Sequence, residues 1–487
     1  MTEFHFPWMV ICFLVPLIGA AVLFRERDIE KTQKHAIAFS GITLICTLLL
    51  WLDFRTLNVP QATDKWHPVS AIFGEQGFLV DSLSAPLLPL TAQVYLATAM
   101  STLRTKVRRF SFVGMLVSES LTLATFSCHS PGEIIILMAA GMIPCLWELK
   151  ERGKPMRVFA LHMGLCVILL ATGWSLSRDP HASMYPVGIF LLVAGALLRS
   201  GSVPVHSWMP DLFEHASFGA ALLFVTPMVG AYATVRLILP IAPDWAIHLI
   251  AVASLVTSVY AAGMAIVQKE ARRFFCYLLL SHSSLILVGL ATVTKIGLTG
   301  ALAVWLSDSL AMAGFGLTLR SMESRLGRIS LASYHGMYEH TPTLAVFFLL
   351  TGLASIGFPG AFGFIGMELL VRGAVDTYPY VGAVVVVAAA LNGIAIMAAY
   401  FRLFTGVRHV ASIPLAMRGT ERIAVLTLAT LIIAGGLFPQ TSIRSRYAAA
   451  DQLVELREAV LQHERPGQDP HPAARQPEEV ATAEPTQ

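Results

Sequence analysis

The chain has 487 residues, 55% of them hydrophobic and only 13% charged, with a mean hydropathy of +0.66. A soluble domain carries about 25% charged residues, so this deficit excludes an ordinary water-soluble enzyme and points to lipid as the solvent. The net charge of +3 gives no basic surface for nucleic acid.

A membrane-crossing helix needs roughly 20 apolar residues. About fourteen such segments follow one another, near 7–24, 36–54, 78–103, 111–128, 132–149, 157–176, 185–200, 216–239, 244–267, 274–292, 297–319, 342–375 (interrupted), 379–404 and 421–438. The first has no basic region before it and no small-residue cleavage site after it, so it is expected to be a span and not a cleaved signal peptide. The connections after odd-numbered segments (25–34, 104–109, 150–157, 269–273, 320–328 and 402–422, with none after segment seven) hold 22 of the 34 Lys and Arg. Positive charge stays in the cytoplasm. This predicts a multi-pass protein of the bacterial cell membrane, with the N-terminus outside and the odd loops cytoplasmic.

Two segments are interrupted by Gly and Pro. One break lies in "GALLRSGSVPVHSWMPD" (195–211), with Pro204 and Pro210. The other lies in "GLASIGFPGAFGFIGMELL" (352–370), with Pro359 and Gly360. Backbone freed from a helix at membrane depth is tolerated only where protein or water satisfies it. The breaks are five segments apart, an odd number, which gives the two halves opposite orientation. A matched pair of interrupted segments points to an inverted repeat with a transport path between its halves.

The expected fold is therefore an all-α polytopic membrane protein of about 14 transmembrane helices with two inverted five-helix repeats containing broken helices. Residues 1–110 form an N-terminal three-helix segment, 111–240 the first repeat, 241–410 the second and 411–440 the last span. Residues 441–487 are polar and rich in Pro, Glu and Ala, and are expected to be a disordered tail.

Ionisable groups inside apolar spans are costly and usually line a polar path. They recur here at Glu119, Glu148, His162, Arg199, His206, His282, Asp308 and Glu368. For any one of them the plain alternative is a charge satisfied by a neighbouring helix or snorkelling to the interface. That alternative is weightier for Glu368, Arg372 and Arg236, which sit near segment ends, than for His282 and Asp308. The six cysteines, at 12, 46, 128, 145, 166 and 276, are scattered singly. With no CxxC pair, P-loop or GxGxxG, no metal, iron–sulfur or nucleotide cofactor is expected.

"LLRSGSVPVHSWMPDLFEHAS" (197–217), "QKEARRFFCYLLLSHSSLILVGL" (268–290), "GLASIGFPGAFGFIGMELL" and "FLVDSLSAPLLPL" (78–90) together resemble motifs of antiporter-like membrane subunits. These subunits occur in NADH–quinone oxidoreductase (complex I), membrane-bound hydrogenases and Mrp-type sodium/proton antiporters. The resemblance runs over roughly residues 78–410. It implies a fourteen-helix fold and a proton- or cation-translocating subunit of a larger complex, beside other membrane subunits and with or without a soluble catalytic one. It also marks departures. The family's helix-five glutamate falls at Ala139, with Glu148 several residues late; its helix-seven lysine falls at Arg199 and its helix-eight lysine at Met228. A helix-eleven histidine falls at Asp308, and the helix-twelve Lys/Glu falls at Met367 beside Glu368. Arginine stays protonated in proteins, so Arg199 can serve as a fixed charge but not as a proton carrier. A relay would then run through His282, Asp308, Glu368 and water. Two other readings stay open. One is the membrane subunit of an inorganic-carbon uptake complex with a soluble zinc partner. The other is a scaffold subunit that does not conduct. An autonomous carrier for an organic solute is a further possibility within the conducting reading.

Overall fold

The structure, a computed structural model, describes residues 2–64, 77–103, 110–407 and 417–463. The basic connection 104–109 and the tail beyond 463 lie outside the described residues. The helices, in chain order, are α1 (Trp8–Arg25), α2 (Ile29–Leu57), α3 (Leu87–Met100), α4 (Phe112–Phe126), α5 (Pro131–Glu151), α6 (Arg157–Leu176), α7 (Tyr185–Ser200), α8 (Trp208–His215) and α9 (Phe218–Ile238). They continue as α10 (Asp244–Val267), α11 (Ala271–Leu290), α12 (Lys295–Leu326), α13 (Pro342–Ser355), α14 (Gly363–Thr377), α15 (Pro379–Phe404), α16 (Gly419–Leu437) and α17 (Pro439–His463).

Among the described residues ten helices are long and apolar enough to cross a membrane: α1, α2, α5, α6, α9, α10, α11, α12, α15 and α16. α3, α4, α7 and α13 are shorter apolar helices; α7 is completed by α8 and α13 by α14. Read this way the described helices give fourteen crossings. α4 to α9 and α10 to α15 are two consecutive sets of five, and in each the fourth crossing is the broken one.

The hub is α12, a 32-residue helix whose apolar stretch is buried on every side, as expected of a helix hydrophobic all round. It packs against α3, α9, α11, α13, α14, α16 and α17. Glycine sets its distance from α14. A Cβ on Gly300 would lie 2.3 Å from the Leu370 amide nitrogen, and one on Gly373 would lie 2.3 Å from the Gly297 Cα. Gly300→Ala is expected to cost about 1–3 kcal/mol through overpacking, read as a lowered thermal-unfolding midpoint in detergent.

Two features depart from the expectation. Residues 2–3, 61–63 and 80–81 form a small sheet, β1 (Thr2–Glu3), β2 (Gln61–Thr63) and β3 (Val80–Asp81). β1 is parallel to β2 (Thr2 beside Ala62) and β2 antiparallel to β3 (Gln61 beside Asp81). The tail expected from 441 is instead helical to His463 as α17. Its inward stripe is Arg446, Ala449, Ala450, Leu453 and Arg457, all buried, at steps of three and four. The Arg446 guanidinium donates to the Ser82 and Leu83 carbonyls at 2.5 and 3.3 Å. That of Arg457 donates to the Leu239 and Ala242 carbonyls, each at 2.7 Å. Lys295 pairs with Asp451. The arginine stems are apolar, which is why a stripe that reads as polar can be buried.

Candidate ion path at the two helix breaks

Both breaks close with the same hydrogen-bond pattern. At the end of α7 the chain turns left-handed at Gly201 (φ 77°); Gly201 N donates to Leu198 O and Ser202 N to Leu197 O. At the end of α13 it does so at Gly357 (φ 76°); Gly357 N donates to Ala354 O and Phe358 N to Leu353 O. This is the Schellman arrangement, which needs a residue tolerant of positive φ. Superposing the two glycines makes Arg199 and Ser355 equivalent, each two residues before its glycine. The halves thus share backbone geometry and carry different chemistry at one position.

In the second half that position completes a buried triad. His282 on α11 and Asp308 on α12 are 0% and 1% exposed. Their Nδ1 and Oδ2 atoms are 3.1 Å apart. On the other side of the ring, His282 Nε2 is 3.3 Å from Ser355 Oγ, whose hydroxyl also reaches Gly352 O at 2.8 Å. A serine hydroxyl has one proton. When it is given to Gly352 O, Ser355 Oγ can accept from His282 Nε2–H, an arrangement open to an imidazolium paired with the Asp308 carboxylate. When it turns to His282 Nε2, that nitrogen must accept and the ring is neutral. Rotation of one hydroxyl thus lets Ser355 serve the ring as acceptor or as donor. Serine at 355 was not singled out in the sequence; its place two residues before a break glycine was the available signal.

In the first half Arg199 is buried, 6% exposed. Its Nη2 donates to Phe224 O at 3.3 Å, and its guanidinium lies 4.2 Å from the Phe224 ring centre and 5.9 Å from that of Trp208. Among the described residues no carboxylate lies within 4 Å of it, consistent with alanine at 139. The two halves meet through α9, which is interrupted at Thr226–Met228, with Met228 left-handed (φ 56°). Ser309 Oγ donates to Thr226 O at 3.2 Å and Trp305 Nε1 to Pro227 O at 3.2 Å. Three separate polar contacts, Arg199 with Phe224 O, Ser309 with Thr226 O, and Asp308 with His282 and Ser355, thus lie on the elements that run from one break to the other.

Among the described residues the buried hydroxyls of Ser200, Ser202, Thr226, Ser284 and Ser307, and of Ser254 on α10, have no hydrogen-bond partner. Buried polar groups are nearly always hydrogen-bonded, and these hydroxyls offer donors and acceptors to water. On the face that carries residues 320–328, a cavity of about 280 Å³ is lined by Arg152, Lys154, Glu214, Arg272, Arg320 and Arg328, among others. Glu148, 4% exposed, sits behind it; its Oε1 accepts from Ser217 N at 2.8 Å and lies 3.7 Å from Arg152 Nη1. Beyond Glu148 a void of about 20 Å³, lined also by Ser118 and Cys145, is large enough for one water. Ser118 Oγ is 2.7 Å from Tyr95 Oη.

The remaining predicted residues are not drawn into this path. Glu119 is buried on the α1–α2 side, where Ser40 Oγ donates to it at 2.8 Å. His162 is half-buried on α6, 3.1 Å from the exposed Ser207 Oγ. His206 lies edge-to-face against Tyr260, with ring centres 5.4 Å apart, and Tyr260 is itself partly exposed. Glu368 corrects the expected relay. It is exposed on the outside of α14, and Met367 points inward instead. The helix that restarts at Gly363 takes its rotational phase from the glycine contacts with α12, and one residue is about 100° of turn.

Residues 159–392 match the family model described as NADH:quinone oxidoreductase/Mrp antiporter, TM. Over that stretch, 234 of the 487 residues, the chain is similar to this family of antiporter-like membrane proteins. The chain is 25% identical over 442 residues to NAD(P)H-quinone oxidoreductase chain 4 3 of Trichormus variabilis, covering 84% of this chain and 82% of the relative. It is 23% identical over 489 residues to NADH-quinone oxidoreductase subunit M of Rickettsia prowazekii, covering 92% and 99%. Its fold is similar to that of a chain of respiratory complex I from Thermus thermophilus with bound NADH (TM-score 0.80, 20% identity, 92% and 99% covered). It is also similar to a chain of the Mrp complex from Dietzia sp. DQ12-45-1b (TM-score 0.80, 17% identity, 93% and 99% covered).

Proposed function

We propose that the chain translocates protons, or a cation in their place, as a membrane subunit of a hetero-oligomeric complex of the oxidoreductase or Mrp type, in a bacterial cell membrane. In this reading the Asp81 face is outward and the Arg320 face cytoplasmic. The observation that carries it is the Asp308–His282–Ser355 triad, fully buried where α13 ends. An imidazole can both take and release a proton, and the serine hydroxyl can serve Nε2 as acceptor or as donor. The cytoplasmic entry is the cavity that leads through Arg152 to Glu148 and the one-water void. Arg199 is a fixed positive charge that a proton must pass, and it separates the entry from the triad. The test is proton flux into proteoliposomes holding the chain with its co-purifying partners, followed by a pH-sensitive dye. Loss of flux in His282→Ala and in Asp308→Asn supports the relay.

The scaffold reading is favoured by one observation, the missing acid beside Arg199. Unchanged flux in both variants would leave that reading in place.

A further inference from the structure

Phe364, Glu368, Arg372 and Val375 lie at steps of four, four and three on α14 and are all exposed; they make one stripe. Glu368 is nine residues before the end of α14 at Thr377, about 13 Å along the axis. The hydrocarbon half-thickness is about 15 Å, so Glu368 faces sideways at membrane depth. Among the described residues it has no ion-pair or hydrogen-bond partner; Arg372, one turn on, lies more than 4 Å away and close enough to the helix end to reach the interface. Beside the stripe the second break itself reaches the outside. Phe358 is 52% exposed, and Pro359 and Gly360 are exposed with it. Lipid satisfies neither an irregular backbone nor a lone carboxylate.

We propose that the surface made by Phe358–Gly360 and the Phe364–Glu368–Arg372 stripe docks a membrane-spanning helix of a different chain, and that this helix presents a lysine or arginine at the depth of Glu368. The charge on the stripe chooses the occupant. A second copy of this chain related by a two-fold axis along the membrane normal would set Glu368 against Glu368. A purely apolar helix would leave the carboxylate unpaired. A basic side chain satisfies it and seals the break from lipid in the same contact. The proposal rests on the hetero-oligomeric reading above and adds to it the face and the chemistry of contact.

The experiment uses dicyclohexylcarbodiimide, a lipid-soluble reagent for membrane carboxyls, on the assembled complex in native membranes and on the full chain expressed alone. Modification of Glu368 is read by mass spectrometry. Glu368 is expected to be labelled in the lone chain and protected about tenfold in the assembly. Charge reversal by Glu368→Lys is expected to lower the assembled fraction on native gels by about tenfold, with Glu368→Gln between it and the wild type. Equal labelling in both states overturns the proposal even if Glu368→Lys fails to insert. A chain that migrates alone from native membranes sinks the hetero-oligomeric reading as well. Assembly with Glu368 freely labelled sinks the proposed surface only. Flux loss in Asp308→Asn is independent of all three outcomes.

Discussion

Asp308→Asn is expected to lower proton flux through the assembled complex by about a hundredfold, the lower end of what a positioned proton donor or acceptor contributes. The side chain stays the same size and its remaining carbonyl can still accept from His282 Nδ1, so α11 and α12 keep their packing. What is lost is the negative charge, 3.1 Å from the ring nitrogen, that accompanies the imidazolium. A buried charge without its partner is strongly unfavourable, so the protonated state of the ring goes with it. His282→Ala removes the carrier and should do at least as much. Because the two act as one unit, the double variant should be no slower than the worse single one. A flux for Asp308→Asn within about twofold of wild type would end the relay interpretation, since side-chain effects of that size arise from packing alone.

Arg199→Met is expected to raise the thermal-unfolding midpoint in detergent while reducing flux about tenfold. Replacing buried ionic groups by apolar ones of similar volume is often stabilising by about 1–4 kcal/mol. Among the described residues the cation has no acid within 4 Å, and its burial is offset by one hydrogen bond to Phe224 O and by the Phe224 and Trp208 faces, the latter at about 0.5–2 kcal/mol. The flux loss follows from removing the fixed charge between the entry and the triad. Arg199→Lys should retain flux and add an inflection to its pH profile, because a buried lysine can lose its proton. A strong fall in stability on Arg199→Met would mean that the guanidinium has a compensating partner in the working protein. Unaltered flux would remove Arg199 from the path.

The spans and both breaks were legible in the sequence because their signals are local. A long apolar run has few alternatives, and Gly201 and Gly357 each sit where a helix must stop. His282 and Asp308 were also marked, each by its depth in an apolar segment, but their contact depends on which faces of α11 and α12 meet, and no local pattern carries that. Glu368 failed for the same reason at a finer scale, a single residue of helical phase after an irregular stretch. Ser355 was missed because a serine in an apolar run is common, and its importance comes from a histidine 73 positions earlier. α17 was missed because Arg446 and Arg457 count as polar in any hydropathy sum although their stems are buried. The strands of two and three residues are too short to show alternation.

The clamps of α17 bear on how the path can operate. Arg446 holds the entry to α3, ahead of the first five-helix set. Arg457 holds the turn between α9 and α10, where one set passes into the other, and Asp451 holds the start of α12 inside the second. A carrier working by alternating access must rock its halves about their seam, and here the seam is strapped at three points on the face that carries α17. On the proposed reading, turnover then proceeds by hydroxyl rotations, side-chain shifts and water within this frame, which suits a proton better than a bulky solute.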